Sequence, residues 1–236
     1  MRLIRVGAAL AVVVLLGACA QLPKQAFNRE AATHVHALIV TQDRNQTSYE
    51  AAVLGHPAMS FGLIGGLIAA ADMQYKSGKL TAAIDPVETR LQERFTATLA
   101  EHLARSGYET STVVLPAGSK DVDVVAYAKS HAKGDAVLVV HLYGGYWAAG
   151  PSTDYQPRLS APIRLVDLYS GKVLYEDVIS YGYAPAQDKT IHFASDSKYR
   201  FANIDVLTGD PALTRAGLLD GLDPVAHQIA EDIKRN

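Results

Sequence analysis

The chain has 236 residues, 49% of them hydrophobic and 19% charged, with a formal net charge of −2 and one cysteine. That is the balance of an ordinary globular protein, long enough for one domain to bury its own core without disulfide staples. No basic stripe stands out that would hold a phosphate backbone, so nucleic-acid binding is not expected.

Taken from the N-terminus, Arg2 and Arg5 supply a positive start, Val6 to Gly17 is an uncharged and mostly aliphatic run, and Leu16-Gly17-Ala18-Cys19 closes it with small residues. This is the layout of a secretory signal, and the run falls short of the roughly 20 residues a spanning helix needs. The closing four residues resemble the bacterial lipobox. That resemblance implies cleavage before Cys19 and a diacylglycerol on its sulfur. Cys19 is the sole cysteine, so lipidation would leave no disulfide and no free thiol. A three-chain anchor adds roughly 0.8 kcal/mol per buried methylene and holds almost permanently. Ala20, where inner-membrane lipoproteins of enteric type carry aspartate, implies the outer membrane, periplasmic face. Residues 19–32, with Pro23, Lys24, Asn28 and Arg29, lack periodicity and read as a lipidated tether. Residues 33–236 read as a single α/β domain.

His34 to Thr41 is a β-like run and is expected as the first strand, with a polar loop after it. Pro57 to Ala71 carries no charge and suits a buried helix; Gly62 and Gly66 lie four apart on it. The expectation is a bare face pressed on the domain's own sheet, with an oligomer or partner contact as the other possibility. Asp85, Pro86 and Glu88 form a capping-box start, Leu91, Phe95, Leu99 and Leu103 repeat every four residues, and Gly107 is placed to stop a helix of about twenty residues. Tyr108 to Leu115 reads as a strand and Lys120 to Lys133 as a helix. Asp135 to Leu142 is nearly continuous apolar sequence, as in a strand covered on both faces. Gly144 to Pro157 reads as a glycine-rich aromatic loop. Ser160 to Leu168 and Val173 to Tyr183 form a hairpin turned at Tyr169-Ser170-Gly171-Lys172. Ala184 to Leu207 reads as a loop with one short strand, and Asp210-Pro211 and Asp223-Pro224 each read as a helix start. The fold class expected is α/β, a mixed sheet covered by helices, with a β-hairpin and C-terminal helices.

Gly134-Asp135-Ala136-Val137-Leu138-Val139-Val140, then Ile163-Arg164-Leu165-Val166-Asp167, Ser170-Gly171-Lys172 and Val173-Leu174-Tyr175, resemble periplasmic lipoproteins of the CsgG and LpoB type over roughly residues 34–183. The resemblance implies work by protein contact: activation of a cell-wall synthase in some members, assembly of a secretion pore in one. A pore needs added amphipathic strands of about ten alternating residues. Ala184 to Leu207 shows no such alternation, so the pore role is not expected.

No nucleophile elbow, phosphate-binding glycine loop, zinc-protease motif or calcium loop occurs, and no cofactor is expected. His34 and His36, two apart on a strand, would share a side, but no third ligand stands at metal spacing and no metal is expected. Asp121 and Asp123 suit the N-terminus of a helix. His192, Ser195, Asp196 and Ser197 cluster in sequence, which is no evidence of triad geometry. His141 ends an apolar strand and reads as a satisfied, partly buried residue.

The informative cluster is aromatic. Tyr143, Tyr146, Trp147 and Tyr155 crowd one segment, and Trp147 is the only tryptophan. Tyr169, Tyr175, Tyr181 and Tyr183 sit on or beside the hairpin, the last three on one strand face. Tyrosine and tryptophan carry much of the energy of protein interfaces. The function expected is that of a non-enzymatic cell-envelope lipoprotein, joined to the membrane through Cys19 and working on an envelope protein or by self-association, with these four aromatics as partner-binding residues. A periplasmic hydrolase with an unmarked site is the alternative.

Overall fold

The computed structural model describes residues 24–116, 123–185 and 190–235. Cys19, the signal segment and Asp121 lie outside these residues. In chain order the first half comprises β1 (Ala37–Gln42), β2 (Glu50–Val53), α1 (Gly62–Ile84) preceded by a 3-10 turn at Pro57–Phe61, α2 (Pro86–Thr89), α3 (Leu91–Arg105) and β3 (Glu109–Val114). The second half comprises α4 (Val124–His131), β4 (Ala136–Val140), β5 (Tyr143–Ala148), β6 (Gln156–Asp167), β7 (Val173–Gly182), β8 (Ile191–Phe193), α5 (Ile204–Gly209), α6 (Pro211–Leu219) and α7 (Leu222–Asp232).

The sheet is organised around β6. β4 and β5 run antiparallel to it in one continuous register, from Ala136 opposite Asp167 to Trp147 opposite Gln156. They are two halves of one strand. The ladder breaks between them because Pro162 stands opposite His141: its carbonyl accepts the His141 N–H at 3.1 Å, but proline has no N–H to return. β1 lies parallel against β4 and β2 parallel against β5, so these two also share a row; β3 adds parallel to β1 at one edge. On the other side of β6 come β7, antiparallel, and then β8, parallel to β7. The result is a mixed eight-stranded sheet.

The period-2 alternation of β1 and β4 explains their continuous apolar sequence. Leu38, Val40, Ala136, Leu138 and Val140 join the main core under α1, α3, α6 and α7, whereas Ile39, Val137 and Val139 pack with Ala128 of α4 on the opposite face. α4 covers only β1, β3 and β4. Beyond it, on that second face, no helix among the described residues lies over β5 and the start of β6.

The hairpin forms as expected between β6 and β7, with Gly171 at φ 72° in its turn. Asp210 caps α6, its side chain accepting from the Leu213 amide, and Asp123 caps α4 through the Ala126 amide. Among the described residues of the 184–207 segment, β8 is the short strand. Other expectations are corrected. Gly144 to Pro157 is not a loop: its first part is β5. The polar stretch after β1 contains β2. The helix starting at Pro86 is interrupted at Arg90, whose left-handed backbone (φ 43°) ends α2 and redirects the chain so that Leu91 and Gln92 are buried. The cap at α7 is Gly221 rather than Asp223.

The glycine expectation on α1 is also overturned. That helix runs on to Ile84, and a Cβ at Gly62 or Gly66 would meet nothing within 4 Å. The buried side is instead Gly65, Ala69, Leu80 and Ile84. At the N-terminal end of the described chain, Gln25 bridges to Glu176 on the edge of β7, and the Asn28 amide donates to Leu174 O. Val35 is fully buried.

Candidate functional site

β5 carries three of the four aromatics singled out, and its pleat separates them. Tyr146 points to the helical side: it is fully buried, edge-on to Phe201 at 5.7 Å, and its hydroxyl donates to Thr214 O at 2.8 Å. Burial drives the Tyr146 hydroxyl far above the usual tyrosine range. Tyr155 is likewise buried, tied to Phe201 by two backbone hydrogen bonds of 2.8 and 3.0 Å. These two are core residues. Tyr143 and Trp147 belong to the other side, where α4 does not reach, and Tyr143 is 59% exposed.

The two glycines of β5 serve close approach rather than a turn. A Cβ at Gly145 would stand 2.3 Å from the Glu50 carbonyl oxygen, and one at Gly144 would stand 2.5 Å from Leu91 Cδ2. The first lets β2 pair with β5, and the second lets α3 begin beneath it.

On the uncovered face the Arg158 guanidinium lies 4.0 Å above the Trp147 ring, on the neighbouring row of β6. The indole N–H donates to Glu50 Oε2 at 3.3 Å, and the Tyr183 ring lies 6.1 Å away. Tyr183 comes to this face because Gly182, at φ 83°, turns the chain after β7. Tyr175 and Tyr181 stay on the helical side, with hydroxyls on Asp232 at 2.7 Å and Asp220 at 2.9 Å, so the expected stripe of three tyrosines is divided. Tyr169 is exposed at the hairpin turn. What the arrangement offers is a partly exposed tryptophan gripped between a cation and a carboxylate, with Tyr143 two positions from Gly145 on the same strand.

Within the His192, Ser195, Asp196 and Ser197 cluster, the histidine and the aspartate have other partners among the described residues. His192 Nδ1 lies 3.3 Å from Ser180 Oγ, its cross-strand neighbour, while Asp196 caps the turn at Ser197–Tyr199 and pairs with Lys198 at 3.0 Å. His34 lies in the turn before β1, not on the strand, and its Nε2 is 3.1 Å from Asp167. Among the described residues no group of three or more His, Cys, Asp or Glu side chains could hold a metal, and no helix is long and apolar enough to cross a membrane. His141 Nδ1 pairs with Asp43 at 3.0 Å, a hydrogen bond that raises its pKa against the opposing effect of burial. A surface hollow of about 320 Å³ lies near the start of the described chain, lined by Phe27, Arg29, Tyr108, Lys234 and Arg235 among others.

No protein-family model matches the chain, so the resemblance to CsgG and LpoB has no family match behind it. No curated protein matches it in sequence. Among solved structures it is similar to the PelC dodecamer from Paraburkholderia phytofirmans, at 10% identity and a TM-score of 0.40, over 92% of this chain and 98% of that one. It is also similar to a putative lipoprotein from Caulobacter crescentus (14% identity, TM-score 0.24, 59% of this chain and 77% of that one). A third is lipoprotein GNA1162 from Neisseria meningitidis (18% identity, TM-score 0.24, 61% and 81%). At these identities no residue of the Trp147 surface is carried over from any of them.

Proposed function

We propose that this protein is a lipid-anchored lipoprotein of the cell envelope, held at the periplasmic face of the outer membrane through Cys19, and that it works by contact rather than by catalysis. The observation that carries the contact reading is the uncovered end of the sheet. Trp147, Arg158 and Tyr143 are of the residue types that dominate interface energetics, and here they share a part of the second sheet face that α4 leaves bare. The anchor reading rests on the lipobox resemblance and on chain length. Four residues lie between Cys19 and Lys24, and the five steps of chain span at most about 17 Å, so a lipid on Cys19 would keep the edge of β7 close to the bilayer. The partner would then be met on the β5 side.

The test is site-specific photo-crosslinking in living cells, with the crosslinking side chain placed at Tyr143 of the full chain and, as a control, at the exposed Tyr169. A discrete adduct from position 143 and not from 169 is expected. Introducing Trp147→Ala should reduce that adduct about thirtyfold, the equivalent of about 2 kcal/mol, with thermal unfolding little changed. An adduct that survives Trp147→Ala undiminished, or arises equally from both positions, would overturn the reading.

A further inference from the structure

Among the described residues, half of the exposed large hydrophobic side chains lie on the start of α1 and the 3-10 turn before it. From Pro57 to Ala71 there is no charged residue. Met59, Phe61, Leu63, Ile64, Leu67 and Ile68 are each more than half exposed, Leu63 at 84%. The helix is tied to the sheet along its second half, where Ser77 Oγ accepts the Ala51 amide at 2.9 Å and Thr81 Oγ1 the Tyr49 amide at 2.9 Å, with Leu80 and Ile84 in the core; in the first half Gly65 and Ala69 are the buried residues. Ser77 is thus level with β2, and residues 62–68, nine or more positions earlier at 1.5 Å per residue, reach past the end of that strand. A helix end of this composition would not be stable against water in isolation.

Six such side chains present roughly 600 Å² of apolar surface, at the upper end of what a monomer ordinarily shows. Two copies meeting there would bury on the order of 1,200 Å², where stable interfaces begin. The surface also suits itself. Bulky Leu63, Ile64, Leu67 and Ile68 run beside a bare flank at Gly66 and exposed Ala70, and a Cβ at Gly66 would meet nothing within 4 Å. One helix therefore offers both the side chains that fill a groove and the small residues that allow close approach, which a two-fold contact between identical surfaces requires. With no charge on either copy, nothing repels. The first charges, Asp72 and Lys76, neutralise each other at 2.6 Å. A helix lying in a membrane surface ordinarily carries lysine and arginine on its polar face; here the opposite face is packed on the domain.

We propose that the exposed face of α1 seats α1 of a second copy of this chain, making the protein a dimer through its first three helical turns. The proposal is independent of the lipid anchor and of the Trp147 surface. Its test is disulfide trapping of the full chain in its native membranes. Leu67→Cys and Ile64→Cys should each give a product of twice the chain mass on mild oxidation, whereas Tyr169→Cys and the parent, which has only Cys19, should not. Adding Leu67→Glu to the Ile64→Cys chain should lower the trapped fraction at least tenfold, and because Leu67 is 65% exposed within its own chain, the variant should still unfold cooperatively as a folded monomer. No doubled species from either position, or one formed equally from Tyr169→Cys, would overturn the dimer. So would trapping only in a product of another mass, which would assign the face to a different protein.

Discussion

Asp167 shows how one side chain can hold a supersecondary unit in place. It is 3% exposed, and burial alone would push its carboxyl up, yet the Ser170 hydroxyl, the Tyr169 amide, His34 and the Ser170 amide together hold it down to about 2. The hairpin turn is built around that carboxylate. Asp167→Asn keeps the shape but loses the charge-assisted bonds, and should cost about 1–3 kcal/mol in denaturant unfolding. A depressed folded-state pKa means that this stability is present above the unfolded value of about 3.9 and is lost as pH falls toward 2. The Asn variant should therefore lose its deficit in acid. His141 has the opposite sign. Its pKa is raised by Asp43, so the pair stabilises the fold below the unfolded value of about 6.5 and ceases to do so as pH rises through the folded one. Asp43→Asn should thus be more destabilising at pH 5.5 than at pH 8.5, measured as the denaturant midpoint at each pH. An equal loss at both would mean that the charge on His141 contributes nothing.

The elements are shaped by where backbone approaches backbone. In α1 a Cβ at Gly65 would stand 1.7 Å from the Ala58 carbonyl oxygen, whereas one at Gly66 would meet nothing. Neighbouring glycines in one helix should therefore respond in opposite directions. Gly65→Ala should lower stability by about 1–3 kcal/mol through overpacking, while Gly66→Ala, made in the Leu67→Glu background where the contact between copies is removed, should raise it by up to about 1 kcal/mol by removing a helix-interior glycine. Thermal unfolding of the two variants side by side decides it; a loss in both would mean that the Gly66 flank is already covered. The glycines of β5 obey the same rule. In sequence, Gly144 and Gly145 beside Tyr143, Tyr146 and Trp147 carry the mark of a loop, since the usual reason for adjacent glycines is conformational freedom. Their reason here is contact with Leu91 and with the Glu50 backbone, both distant in sequence, which no local pattern contains.

For the protein as it sits in the cell, the decisive feature is the short connection between Cys19 and the β7 edge. Cys19→Ala should abolish incorporation of labelled fatty acid and release the protein from the membrane fraction or leave it uncleaved; undiminished label would refute the anchor. In the proposed arrangement the edge held near the lipid and the Trp147 surface lie on different parts of the sheet, and the apolar end of α1 extends beyond it. Much of this was legible from the sequence. The strands at 136–140 and 173–182, the part of β6 from Ser160 on, the cap at Asp210 and the apolar stripe from Leu91 to Leu103 follow from periodicity and turn chemistry, which are local properties of the chain. The aromatic cluster was visible as a group, but its division was not: whether Tyr146 or Trp147 faces the helices depends on strand register, and shifting that by one residue exchanges the two faces. The pairing of β2 with β5, the left-handed turn at Arg90 and the bare outer face of α1 likewise follow from contacts between segments tens of residues apart. Composition told which residues were apolar; only the tertiary structure decided which of them the fold would cover and which it would leave for another molecule.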